Sequence, residues 1–213
     1  MHTDHAATSP DPGEVAARLS AGHGWLRFQS TGTPLPRRLD DDVTGWQASL
    51  LADHHRWYGA EAPAQVSGAF VLQYLLQVAA HAAAGAATSR MRVPALPDLT
   101  FAVGEGGVPR LVEIPGFEPL AEADLGSRLT RAEADYREVG EKLAHAYVST
   151  RPMSSRQRLG MVSDMWAEAA RAVRMSAGEF VLGETRRISC CLIYALPGCV
   201  ECSGCPRQAR GAR

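Results

Sequence analysis

The chain has 213 residues, 46% of them hydrophobic, enough for one substantial core in a single large domain. Its 22 Lys and Arg offset 23 Asp and Glu to a formal net charge of −1, which removes any global electrostatic case for nucleic acid, an anionic membrane or a polyanionic partner. The first residues, Met1-His-Thr-Asp-His-Ala-Ala-Thr-Ser-Pro, lack the basic-then-apolar pattern of a secretory signal, so a cytoplasmic protein is expected, at most peripheral to the inner face of the membrane.

In chain order, residues 1–13 are rich in Pro, Asp, Thr and Ser and are expected to be a disordered tail that includes His2 and His5. Pro12-Gly-Glu-Val-Ala-Ala-Arg-Leu-Ser opens a short helix ending near Gly22, and 25–29 reads as a strand. Val43, Trp46, Leu50, Leu51 and His54 give 41–58 a helical period, with Asp40 to Asp42 available as caps and Gly59 as the stop. The stretch 64–87 is apolar nearly all round and bounded by Pro63, Pro94 and Pro97. It is long enough to cross a bilayer, but Gln73, Gln77 and His81 recur on one stripe and alanine dominates, so a buried central helix is expected and no transmembrane segment.

Two β-rich runs, 99–103 and 108–114, flank Gly104-Glu-Gly-Gly as a hairpin, with Pro109 favouring an edge strand. The runs 120–149 and 155–174 read as amphipathic helices joined by Arg151-Pro-Met. The expected class is α+β, predominantly helical: a helical body over 14–185 with a small hairpin, a cysteine-rich segment over 186–206 in the same domain, and a flexible tail over 207–213. Asp53, His54 and His55 are dense but offer no third ligand at helical spacing, so they read as structural, as does His81; His145 reads as surface.

All five cysteines fall in Arg186-Arg-Ile-Ser-Cys-Cys-Leu-Ile-Tyr-Ala-Leu-Pro-Gly-Cys-Val-Glu-Cys-Ser-Gly-Cys-Pro206. Thiolates are preferred ligands of soft or borderline metals and of iron–sulfur clusters, and a cytoplasmic setting disfavours a disulfide framework. Three ligand sets fit. One is Cys190 and Cys191 with Cys202 and Cys205, a CC-x10-C-x2-C pattern. Another is the run Cys199, Cys202, Cys205 with a fourth sulfur from the doubled pair, close to a [4Fe–4S] ferredoxin run; the last is a zinc site from any four. Adjacent cysteines suit one tetrahedral ion poorly, because successive side chains diverge along an extended backbone, whereas a two-iron cluster offers positions on two metals. Gly198, Ser203 and Gly204 supply the tight turns and free amides such a loop needs.

These residues resemble the carboxy-terminal [2Fe–2S] segment of the FhuF-like ferric-siderophore reductases. The doubled cysteine, the Arg186-Arg187 lead, Tyr194, the Leu-Pro-Gly step and the final Cys-Pro carry the likeness, which extends more weakly over about residues 45–206 through Gln65-Val-Ser-Gly-Ala-Phe and Leu159-Gly-Met-Val-Ser-Asp-Met-Trp. The resemblance implies a [2Fe–2S] cluster on Cys190, Cys191, Cys202 and Cys205, with Cys199 a departure that could substitute for a ligand. It implies Arg186, Arg187, Tyr194 and Trp166 near the cluster or the substrate, and a ferric siderophore, of hydroxamate type, received in a groove of the helical body.

No GxGxxG follows a strand and no GxxxxGK[ST] loop occurs, so electrons are expected from an external donor such as a ferredoxin or a reductase. The competing expectations are a four-cysteine zinc or iron–sulfur interaction or sensor protein, and a general electron carrier without siderophore specificity.

Overall fold

The computed structural model describes residues 10–181, 183 and 186–208. The first helix, α1 (Pro12–Ala21), places Pro12 in its opening turn, and the Asp11 carboxylate accepts the Glu14 amide at 3.0 Å. The helix thus starts at Pro12, within the stretch expected to be a tail; residues 1–9, with His2 and His5, lie outside the described residues. After β1 (Arg27–Gln29) and β2 (Arg37–Arg38) comes α2 (Thr44–Tyr58). It starts later than its hydrophobic period suggests because the acidic run builds the preceding turn. Asp41 accepts the Arg38 amide at 2.8 Å, and Asp42 accepts the Thr44 amide at 2.9 Å and its hydroxyl at 2.7 Å. Gly59, at φ 94°, ends the helix as expected.

The long helix α3 (Ala64–Thr88) is the centre of the fold. It passes the length and composition test for a membrane span, yet 78% of its apolar window is buried in the protein. Its alanines let neighbours approach closely, and α4 (Leu125–Ala146) and α5 (Ser155–Ser176) pack against it and each other. Asp124 caps α4 by accepting the Ser127 amide at 2.8 Å, and Ser154 caps α5 by accepting that of Gln157 at 3.2 Å. His81 is enclosed by the core, edge-on to His23 at 4.3 Å between ring centroids, with its Nε2 unpartnered among the described residues. Burial pushes it down to about 3, and His23 adds to the shift.

Short strands complete the α+β architecture. Between α3 and α4 lie β3 (Met91–Arg92), β4 (Thr100–Val103), β5 (Pro109–Glu113) and β6 (Glu118–Pro119). β3 pairs with β6, and the larger sheet runs β1-β5-β4-β2. The β4–β5 hairpin is the expected one, but β5 is an interior strand, which corrects the edge reading of Pro109. The proline is the first residue of β5, beside the register irregularity at Ala102/Val103, and β1 pairs in parallel only with Leu111–Glu113, beyond it. The missing N–H therefore interrupts no ladder bond with β1.

Candidate metal centre

The site is built on one face of α5. Gln157, Gly160 and Asp164 fall at i, i+3 and i+7, and the chain returns across them after the helix ends. At Gly160 an added Cβ would lie 3.2 Å from the Ser189 Cβ and 3.3 Å from the Ile188 Cγ2, so any side chain there would push the segment of residues 188–189 outward. Asp164, buried at 2% side-chain exposure, accepts the amides of Ile188 at 2.7 Å and Ser189 at 2.8 Å, and the Ser189 hydroxyl as well. Gln157 Nε2 donates to the Cys190 carbonyl at 3.0 Å.

Arg187 ties this arm to the rest. Its Nη2 donates to Gln73 Oε1 on α3 at 2.9 Å, its Nε lies 3.6 Å from Asp164, and its backbone N–H donates to the Gly204 carbonyl at 3.0 Å. Arg186, identical in type, is exposed. Sequence cannot divide the pair, because the division depends on which side chain faces Asp164. Asp164 itself went unnoticed; the available signal was a carboxylate on the apolar stripe of Met161, Met165 and Trp166, where an unpaired charge would be costly.

Four of the five thiols come together. Leu192, at φ 65°, turns the chain sharply after the doubled cysteine, and its N–H donates to Cys190 Sγ at 3.4 Å. Gly198 (φ 79°) and Gly204 (φ 66°) make the left-handed turns anticipated for them, the second inside the Cys202–Cys205 loop, which the Cys205 amide closes on the Cys202 carbonyl at 3.1 Å. Cys191 and Cys202 face each other with sulfurs 3.7 Å apart. That is the edge of a tetrahedron with metal–sulfur bonds of about 2.3 Å. Cys190 faces Cys205. The doubled cysteine thus sends its two side chains to different partners, as diverging neighbours must.

Cys191 and Cys205 are buried, and Cys190 and Cys202 half-buried. Burial pushes the Cys202 thiol up to about 12, with Cys191 adding like charge and Arg187 opposing. Burial also raises Cys190, which the Leu192 amide pulls back and the neighbouring sulfurs push further. Such thiols gain most from a cation, which deprotonates them on coordination. Among the described residues no three His, Cys, Asp or Glu side chains converge as donors to a single ion. Two facing pairs are instead what a two-iron cluster asks for.

Cys199 stands apart, its side chain packed against an apolar cluster of Ala62, Val66 and Leu196. Tyr194 is close to the thiol arm: the Arg207 guanidinium stacks over its ring at 4.1 Å and donates to its hydroxyl at 3.1 Å. Both line a cavity of about 390 Å³ together with Cys190, Gln157 and Arg156. Trp166 is placed elsewhere, in the core, stacked on Tyr136 at 5.5 Å. His54 is also buried, while His55 contacts the Ala62 carbonyl at 3.1 Å, in keeping with a structural group.

A mostly helical body thus carries a compact loop in which four thiols come together. Residues 187–207 match the family described as the FhuF 2Fe-2S C-terminal domain, so the carboxy-terminal segment is of the [2Fe–2S]-binding type. No curated protein and no solved structure matches the chain.

Proposed function

We propose that this protein reduces Fe(III) in ferric siderophores by one electron, drawn from a [2Fe–2S] cluster held by Cys190, Cys191, Cys202 and Cys205. The facing of Cys191 with Cys202 and of Cys190 with Cys205 supports this ligand set above all else, since it divides four sulfurs between two metal positions and leaves Cys199 aside. When bound, such a cluster supplies a single electron at low potential. The chain's own residues hold and shade it: Asp164 and Gln157 fix the first pair of cysteines, Arg187 joins both arms, and its guanidinium offsets part of the negative charge of four thiolates.

One electron suffices for the task. Siderophores hold Fe(III) through hard oxygen donors, and Fe(II) is less charged and bound far more weakly by them. The electron must be replaced by an external one-electron donor, since the sequence carries no nucleotide-binding motif.

Cys202→Ser is the deciding variant. It should lose the visible absorption of the cluster and the reduction of ferric hydroxamate together, with iron and sulfide counts falling in step. A cluster-free variant that reduced the chelate at the wild-type rate would overturn the proposal, and zinc in place of iron after anaerobic purification would favour a structural metal module.

A further inference from the structure

Resting on the reading just given, we infer that the cavity outside Cys190 is where the ferric chelate docks, and that it selects chelates carrying negative charge, with Arg156 and Arg207 binding their carboxylate or catecholate oxygens.

Position is the first argument. The cavity has the half-buried Cys190 in its wall, so a bound complex lies beside a proposed cluster ligand. At about 390 Å³ it is at the small end for ligand pockets and takes one face of an oxygen-ligated iron complex, not the whole. The larger cavity, about 660 Å³ between Asp40–Asp42 and α4, has no cysteine in its wall and carries four carboxylates, Asp40, Asp41, Asp42 and Asp98.

Charge is the second. The wall beside Cys190 holds two guanidinium groups and no carboxylate. Arg156 has no ion-pair partner among the described residues, and Arg207 is oriented by its stacking on Tyr194. The Arg207–Glu201 pair, 3.8 Å apart and exposed, is too weak to neutralise it. Ser154 and Gln157 add the amino-terminal end of α5, whose dipole also favours an anion. An all-cysteine cluster is itself a net anion, so a negatively charged chelate reaches its neighbourhood only where fixed cations offset the repulsion. A neutral chelate needs no such device. A hydroxamate siderophore that also bears carboxylates satisfies both this wall and the family resemblance.

The test uses redox-inert Ga(III) complexes of a tricatecholate, a citrate-based hydroxamate and a neutral trihydroxamate, with binding to the cluster-loaded protein followed by equilibrium dialysis. The two anionic complexes should bind at least about tenfold more tightly than the neutral one at low salt, with the gap closing as salt rises. Arg156→Gln should cost the anionic complexes about tenfold in affinity with the cluster spectrum and potential intact, while Lys142→Gln, at the larger cavity, costs nothing. Equal binding of neutral and anionic complexes overturns the inference. So does loss of affinity in Lys142→Gln alone, or an Arg156→Gln variant with normal chelate affinity and a raised requirement for the electron donor. Wild-type protein that binds the Ga(III) complexes but reduces no ferric chelate leaves the site standing and overturns the proposed function instead.

Discussion

Asp164 is a single carboxylate on which the geometry of the cysteine arm depends. Buried beside Arg187, it is stabilised by the two backbone amides and the hydroxyl it receives. Asp164→Asn keeps the shape but presents an amide donor to other donors and removes the nearer of two carboxylates beside Arg187, Glu168 being the other. Breaking a buried pair in this way costs about 3 kcal/mol, and that cost falls on the cysteine arm. The expected result is protein with wild-type helical circular dichroism but a lower iron and sulfide content and faster bleaching by a chelator. Arg187→Gln removes a cation that faces Cys202. The cluster potential should fall by tens of millivolts, equivalent to on the order of 1 kcal/mol for one electron, measurable by potentiometric titration. An unchanged potential would reduce Arg187 to a purely mechanical tie. At this scale the sequence announced the sulfurs through their spacing but not their supports, because Arg186 and Arg187 are chemically identical and only the fold decides which of them faces inward.

The helix α5 is the platform of the site, and Gly160 is the gap in it. Glycine in a helix interior costs roughly 1 kcal/mol relative to alanine, so a buried one at mid-site implies a close approach. Gly160→Leu would put a side chain where Ile188 and Ser189 now lie. The prediction is a folded body that cannot close the cysteine arm: unchanged far-ultraviolet spectrum, and no cluster after anaerobic reconstitution. The main helices were readable from their apolar periods and their boundary residues, with α2 misjudged only where Asp41 and Asp42 serve a turn. The sheet was legible as far as its local hairpin. Its parallel partner β1 was not, since pairing across more than eighty residues leaves no local trace, and so β5 passed for an edge.

Across the whole molecule, the buried histidines set a limit on acid tolerance. The folded protein holds His81 neutral down to about pH 3, whereas an unfolded chain takes up a proton near the ordinary value of 6.5. Between those values the unfolded state binds more protons, so stability falls as pH is lowered through that window, by on the order of 1 kcal/mol per pH unit from this residue. His23 and His54 are lowered by burial as well and push in the same direction. Urea denaturation at pH 7.5, 6 and 5 should show the decline, and His81→Leu should flatten it. Equal slopes in both proteins would place the acid sensitivity elsewhere.

The crossed facing of the thiols bears on how the centre is loaded. One jaw, Cys190 and Cys191, is clamped to α5 by Gln157 and Asp164. The other, Cys202 and Cys205, is a tight turn tethered by the Arg187–Gly204 hydrogen bond. If each metal position draws one sulfur from either jaw, as proposed, a preassembled cluster would need one jaw to open, and the outer one is the less firmly held. Delivery would then wait on the opening of a short loop, not on unfolding of the body.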